Sequence, residues 1–293
     1  MVLKETGLGR EPEVTLSHLN EDKDDRLVGR VLNRREVMGL LTSGGIGTFG
    51  AWGGKLLALA SNQAGSPSPT CVVRPEVEEG PFFVDEQLNR SDLRSDPLSG
   101  AVSAGRPLVL NFELSRIGPG ACAPLAGAMI DLWQCDARGI YSGVSGPGQA
   151  PQAAGGKALR GFQVTDAQGR GRFTTIFPGW YQGRTVHIHL KIRTTTAPAG
   201  AYEFTSQLFF DDALSDKIHA TAPYASRGRR DTTNATDGIF RSSGQTMMLA
   251  PVDRDGGLAA TFAIGLDLSD ATAGRPDGGG GRGRGRGPGR GRG

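Results

Sequence analysis

Cysteine, tryptophan, tyrosine and histidine are all scarce in this chain: three, three, four and four among 293 residues. Three cysteines cannot make a dense disulfide framework, so the fold has to rest on an apolar core. Neither a Walker nor a Rossmann glycine pattern occurs, which removes the usual nucleotide-binding α/β folds. Acidic residues are missing from the last sixteen positions, "GGGGRGRGRGPGRGRG", which hold five arginines. Without those five the net charge of +3 becomes −2, so the body is not basic and no nucleic-acid partner is expected. A long unbroken apolar run is absent too. The one candidate is interrupted by Gly44, Gly45, Gly47, Gly50, Gly53, Gly54 and Lys55, a poor permanent membrane span.

The two ends do not read as fold. In 1–60 a charged lead reaches Arg34-Arg35, then the Gly-rich apolar run, then Ala58-Leu59-Ala60. That order resembles a twin-arginine export signal with a small-residue cleavage site, so a periplasmic, cell-surface or extracellular protein is expected. Residues 61–70 are a linker, 71–270 the folded domain, and 271–293 a Gly/Arg-rich tail without apolar content to bury. The tail has the charge to contact anionic polymers.

The domain reads as short strands separated by turn residues, an all-β, antiparallel β-sandwich with few short helices. In "PLVLNFEL", Leu108, Leu110, Phe112 and Leu114 share a face. "GAMIDLWQCD" is a further strand, and "GFQVTDAQGRGRFTTIF" reads as a hairpin turning at 166–169. "MMLAPV" and "LAATFAI" flank another hairpin turn at 254–257. The one helix, "DDALSDKIHA", has Asp211 or Asp212 as its cap, and His219 on it is expected at the surface. Cys122 and Cys135 lie on either side of a strand, too far apart to bridge, so any disulfide has Cys71 at one end. Three free buried thiols are the alternative.

Chemistry concentrates in "GWYQGRTVHIHLKI". Val186, Ile188, Leu190 and Ile192 alternate with His187, His189, Lys191 and Arg193. Residues i and i+2 share a strand face, so both imidazoles stand side by side and can reach one metal. Lys191 is expected to be a solvated cation on that polar face. No carboxylate lies within ten residues of His187, which disfavours a two-His-one-carboxylate site. The nearby oxygen donor is Tyr181, on the turn before the strand, and a phenolate suits a hard ferric ion.

These segments, with "RPEVEEGPFF" and "GAMIDLWQCDARGIYSG", resemble the intradiol ring-cleavage dioxygenases over most of residues 71–212. The resemblance is to exported members with a single sandwich domain. It implies a β-sandwich holding non-haem Fe(III) through Tyr141, Tyr181, His187 and His189. It implies an enzyme that splits a catechol-type diol between its hydroxyl-bearing carbons with dioxygen, giving a muconate-type diacid. It also assigns Arg184, Tyr181 and Gln207 to catalysis, and Gly80, Pro81 and Arg184 to substrate binding. Only two residues separate Tyr181 from Arg184, where well-studied members often carry a longer insertion, so the diol stays open. The helical dimerisation domain of the catechol branch has no counterpart, and assembly stays open, a homodimer included. The competing expectation is a transthyretin-like or adhesin-type binding module, colourless where a ferric tyrosinate protein is coloured.

Overall fold

A computed structural model describes residues 72–269, except 120, 147, 151, 152, 154, 198 and 199. The expected export signal, the linker, Cys71 and the tail lie outside the described residues.

Two sheets face each other. One contains β1 (Pro107–Gly118), β2 (Ala121–Pro124), β5 (Arg170–Ile176), β8 (Val252–Arg254) and β9 (Gly257–Leu266). The other runs β4 (Arg160–Val164), β3 (Met129–Trp133), β6 (His187–Ala197), β7 (Gly200–Phe209), antiparallel throughout. Leu108, Leu110, Phe112 and Leu114 of β1 are buried as their alternation predicts. They meet Phe173, Phe262, Ile130, Ile188, Leu190 and Ile192 in one core between the sheets. Burying that core is the main driving force for the fold.

Two details depart from the sequence expectation. The first sheet is mixed, because β1 and β9 run parallel from Leu108–Leu258 to Arg116–Leu266. The turn at 166–169 forms, with Asp166 bonding Arg170 across it, but β4 and β5 do not pair. Strand β4 pairs with β3 and β5 with β1, so the turn is a corner between sheets rather than a hairpin tip. The hairpin at 254–257 is borne out, although its first strand is only Val252–Arg254. Helix α1 (Asp212–His219) is capped by the Asp211 carboxylate, which accepts from the Leu214 N–H. A second short helix, α2 (Gly238–Ser243), is capped in the same way by Asp237. Among the described residues no helix is long and apolar enough to cross a membrane.

His219 is buried, not at the surface. Its ring stacks on Tyr224, and its Nε2 contacts the Pro178 carbonyl at 3.0 Å. Cys122 is disulfide-bonded, and Cys135 is free and buried, its thiol pKa pushed up by desolvation.

The outer face of the four-stranded sheet positions the site. Register places Trp133, His189 and Gln207 in one row across three strands, with Asp131, Lys191 and Thr205 in the next. Directly opposed residues share a face in an antiparallel sheet. Residues 72–90 form a strap over this face. The strap bonds to β9 through Val72, to β7 through Val77, and to β4 through Leu88 and Arg90.

Lys191 is the clearest correction. It is 3% exposed, pairs with Glu79 of the strap and Glu203 of β7, and sits over the Phe83 ring at 4.6 Å. Burial alone would lower its pKa, but the two carboxylates outweigh that and raise it. Arg193, one step further along the face, pairs with Asp131 and with Asp85 of the strap.

Candidate active site

Three segments meet where β3 ends and β6 begins. After β3, the Asp136 carboxylate accepts from the Arg138 and Ile140 N–H groups at 2.8 and 3.0 Å. This local turn reverses the chain and delivers Tyr141 inward. Before β6, the Tyr181 carbonyl accepts from the Arg184 N–H at 3.4 Å, and Gly183 supplies a φ of +82°. That tight turn brings Tyr181 back over the first residues of β6. Above them the strap passes at Gly80, whose φ is +73° and where a Cβ would sit 3.2 Å from His189 Cε1.

The two tyrosine loops pack backbone on backbone. A Cβ at Gly139 would lie 2.0 Å from the Trp180 carbonyl oxygen, and one at Gly179 would lie 2.4 Å from that of Asp136. The Gly179 N–H donates to the Asp136 carbonyl at 3.1 Å. Both glycines are therefore required by close approach. Gly139→Ala should cost about 1–3 kcal/mol from overpacking, plus roughly 1–2 for its φ of +80°. It should also push the two tyrosines apart. Gly183→Ala meets nothing within 4 Å and carries only the φ penalty. Urea unfolding of the two variants measures the difference; equal losses would show that the loop contact is unimportant.

All four donors converge. His187 Nε2 lies 3.0 Å from Tyr181 Oη and 3.1 Å from His189 Nε2. His187 Nδ1 contacts the Thr185 carbonyl at 2.6 Å, so Nδ1 carries the proton and Nε2 offers a lone pair. Desolvation, reinforced by Arg184 and, at His189, by His187, holds both imidazole pKa values well below normal. Both rings are thus neutral. Tyr141 is fully buried, and among the described residues its Oη makes no direct hydrogen bond. Its pKa is raised by desolvation and then by Tyr181. Tyr181 is partly exposed, and desolvation pushes it up to about 12.

This arrangement fits a cation. Two neutral imidazoles aim nitrogen at nitrogen, and a buried phenol oxygen is unpaired, an unfavourable set unless something shared satisfies it. The Thr185 carbonyl on His187 is the outer partner that a metal-ligating histidine usually has. Among the described residues no three His, Cys, Asp or Glu side chains group as a metal site. The convergence here depends on tyrosine.

Around the donors sit groups that residue patterns foretold and others that they missed. Arg184 donates from Nη2 to Gln207 Oε1 at 2.5 Å, and Gln207 Nε2 donates to the Glu78 carbonyl at 3.2 Å. Arg184, Gln207 and Gly80 thus lie beside the four tyrosine and histidine side chains, whereas Pro81 is an exposed turn residue. Trp133, Phe82 and Asp237 were not anticipated. Trp133 stacks on His189 at 4.9 Å with 9° between planes, and Phe82 stacks on Tyr141 at 4.4 Å. Trp133 could have been found from its shared strand face with Asp131. Phe82 lies inside the quoted "RPEVEEGPFF". Nothing local marks Asp237.

Known proteins give the same picture. A family model described as Dioxygenase matches residues 78–231. An intradiol ring-cleavage dioxygenase from Tetranychus urticae is 32% identical, with a TM-score of 0.57, covering 68% of this chain and 96% of that one. A second dioxygenase crystal structure is 30% identical, with a TM-score of 0.56 and the same coverage. The dioxygenase domain of a carbohydrate-binding fusion protein from Streptomyces sp. SirexAA-E is 26% identical, with a TM-score of 0.46, covering 67% and 99%. The Tyr-Tyr-His-His convergence in a sandwich stands beside a family model that matches more than half of the chain and a 32% identical intradiol dioxygenase that covers 68% of it: the chain belongs to the intradiol ring-cleavage dioxygenase family and is an enzyme of that type.

Proposed function

We propose that the enzyme cleaves a catechol-type diol between its two hydroxyl-bearing carbons with dioxygen, giving a muconate-type diacid. One ferric ion held by Tyr141, Tyr181, His187 and His189 would serve the reaction. The observation that carries this reading is the convergence of His187 Nε2, His189 Nε2 and Tyr181 Oη beside the unpaired Tyr141 Oη. Ferric iron, when bound, supplies chelation of the diol and acceptance of ring electron density, which opens the ring to triplet dioxygen.

The chain's own residues divide the remaining work. Tyr141, without solvent exposure, is the permanent anionic donor. Tyr181 is nearer solvent than Tyr141, which makes its Oη the place where a proton from a diol hydroxyl would be held. Arg184, always charged, faces the same space and can stabilise negative charge growing on the ring. Gln207 fixes one edge of that guanidinium. Gly80 lets backbone approach the ring face, while Trp133 and Phe82 keep water out. A colourless binding module would leave Tyr141 Oη buried, without a hydrogen-bond partner among the described residues, and with no functional return.

Elemental analysis, a visible spectrum and oxygen uptake against a panel of catechols test the reading. Stoichiometric iron, a tyrosinate-to-iron band and ring cleavage are expected. Stoichiometric zinc or copper without iron, in protein expressed with iron supplied, would sink it. The reading extends to an exported enzyme, supported by the Cys122 disulfide, which suits an oxidising compartment. Recovery of the protein only from the cytoplasm, with Cys122 reduced, would count against export.

A further inference from the structure

The Asp237 side chain is completely buried, and it lies beyond the segment that the family model matches. Its Oδ1 accepts from the Phe240 N–H at 2.8 Å and caps α2. Its Oδ2 accepts from Arg184 Nε and from the Thr185 N–H, both at 2.8 Å. The carbonyl of Thr185, in the next peptide unit, faces His187 Nδ1. Thr185 Oγ1 bonds Asn234 Oδ1 at 2.6 Å, from the loop just before Asp237. Phe240 of α2 packs edge-on against Phe209, which lies opposite His187 across the β6–β7 ladder. One carboxylate therefore ties a C-terminal helix to both the arginine and the residue whose carbonyl faces a histidine.

A guanidinium is a planar fork on a flexible stem, and its usefulness depends on where its plane is fixed. Asp237 holds Nε from one side and Gln207 holds Nη2 from the other. Glu78 stands 4.0 Å from Nη1, too long to set the plane. We infer that Asp237 is a positioning residue for the ring-cleavage reaction, fixing the Arg184 guanidinium beside the metal donors. The inference rests on the proposed role of Arg184 for its catalytic consequence, but not for the contact itself.

Asp237→Asn is the informative variant, because Asn caps a helix about as well as Asp but brings no charge to Arg184. Asp237→Ser is a second, still a cap but too short to reach the guanidinium. Two cycles with Arg184→Ala test the inference. In urea unfolding, the midpoint shift of the Arg184→Ala/Asp237→Asn double variant should be smaller than the sum of the single shifts. In steady-state oxygen uptake with catechol, Asp237→Asn should lower kcat by on the order of 10- to 100-fold, with KM little changed and iron retained. On the Arg184→Ala background the same change should cost almost nothing. Additive unfolding shifts, or an equal kcat loss with and without Arg184, would overturn the inference. Coupled unfolding shifts in a protein that consumes no oxygen with any diol would keep the contact and overturn the ring-cleavage reading instead.

Discussion

Lys191→Ala is expected to destabilise the protein by about 3 kcal/mol, the lower end of the range for breaking a buried ion pair by removing one partner. The lysine is buried against Glu79 and Glu203, and its loss removes the cation that both carboxylates face. They are partly accessible, with side-chain exposures of 24% and 16%, so water can recover part of the loss, which sets the estimate low. The contact with the Phe83 ring goes as well. The change should also loosen the strap, because Glu79 precedes Gly80, the residue that runs against His189. Urea denaturation with iron content read at each step measures both effects. A shift under about 0.5 kcal/mol, the usual size for a surface substitution, would mean that the pair contributes nothing net.

Arg184→Ala is expected to lower kcat by about 100- to 1,000-fold, or ~2.7–4 kcal/mol, the usual cost of deleting one donor aimed at developing charge. Iron and the visible band should remain, since no donor atom to the metal is removed. Arg184→Lys should not restore the rate. A lysine keeps the charge but cannot bond Asp237 and Gln207 from two edges of one plane as the guanidinium does. Steady-state turnover of both variants, each checked for its iron band, decides the matter. A coloured Arg184→Ala enzyme with near-normal turnover would remove the arginine from the mechanism.

The histidine pair was readable because alternation is a local signal: His187 and His189 must share a face if Val186, Ile188 and Leu190 share the other. What covers that face was not readable. Lys191 looks solvated until a strap more than 100 residues earlier in the chain lays Glu79 and Phe83 over it. The corner at 166–169 shows the same limit. Asp166 and Gly169 fix the turn from within, but whether the flanking strands pair with each other or with β3 and β1 depends on distant partners. His219 follows suit, its burial decided by Tyr224 and Pro178 rather than by its helix. Asp237 is the extreme case. Nothing in the local sequence marks it, and only the packing of α2 shows what its second oxygen holds.

The parallel pairing of β1 with β9 has a consequence for how the molecule is made. Leu108 finds its partner in Leu258, so the sandwich closes only after nearly the whole domain has been synthesised. The roof of the site, at Glu79 and Gly80, leaves the ribosome before its floor at His187 and His189. Such long-range closure is slow, because the chain pays the loop entropy before the contacts form. Until β9 arrives, β1 presents an unpaired edge and the strap lacks its bond between Val72 and Gly265. The order of synthesis thus lets the strap anchor on β4 and β7 before its Val72 end can be fixed on β9.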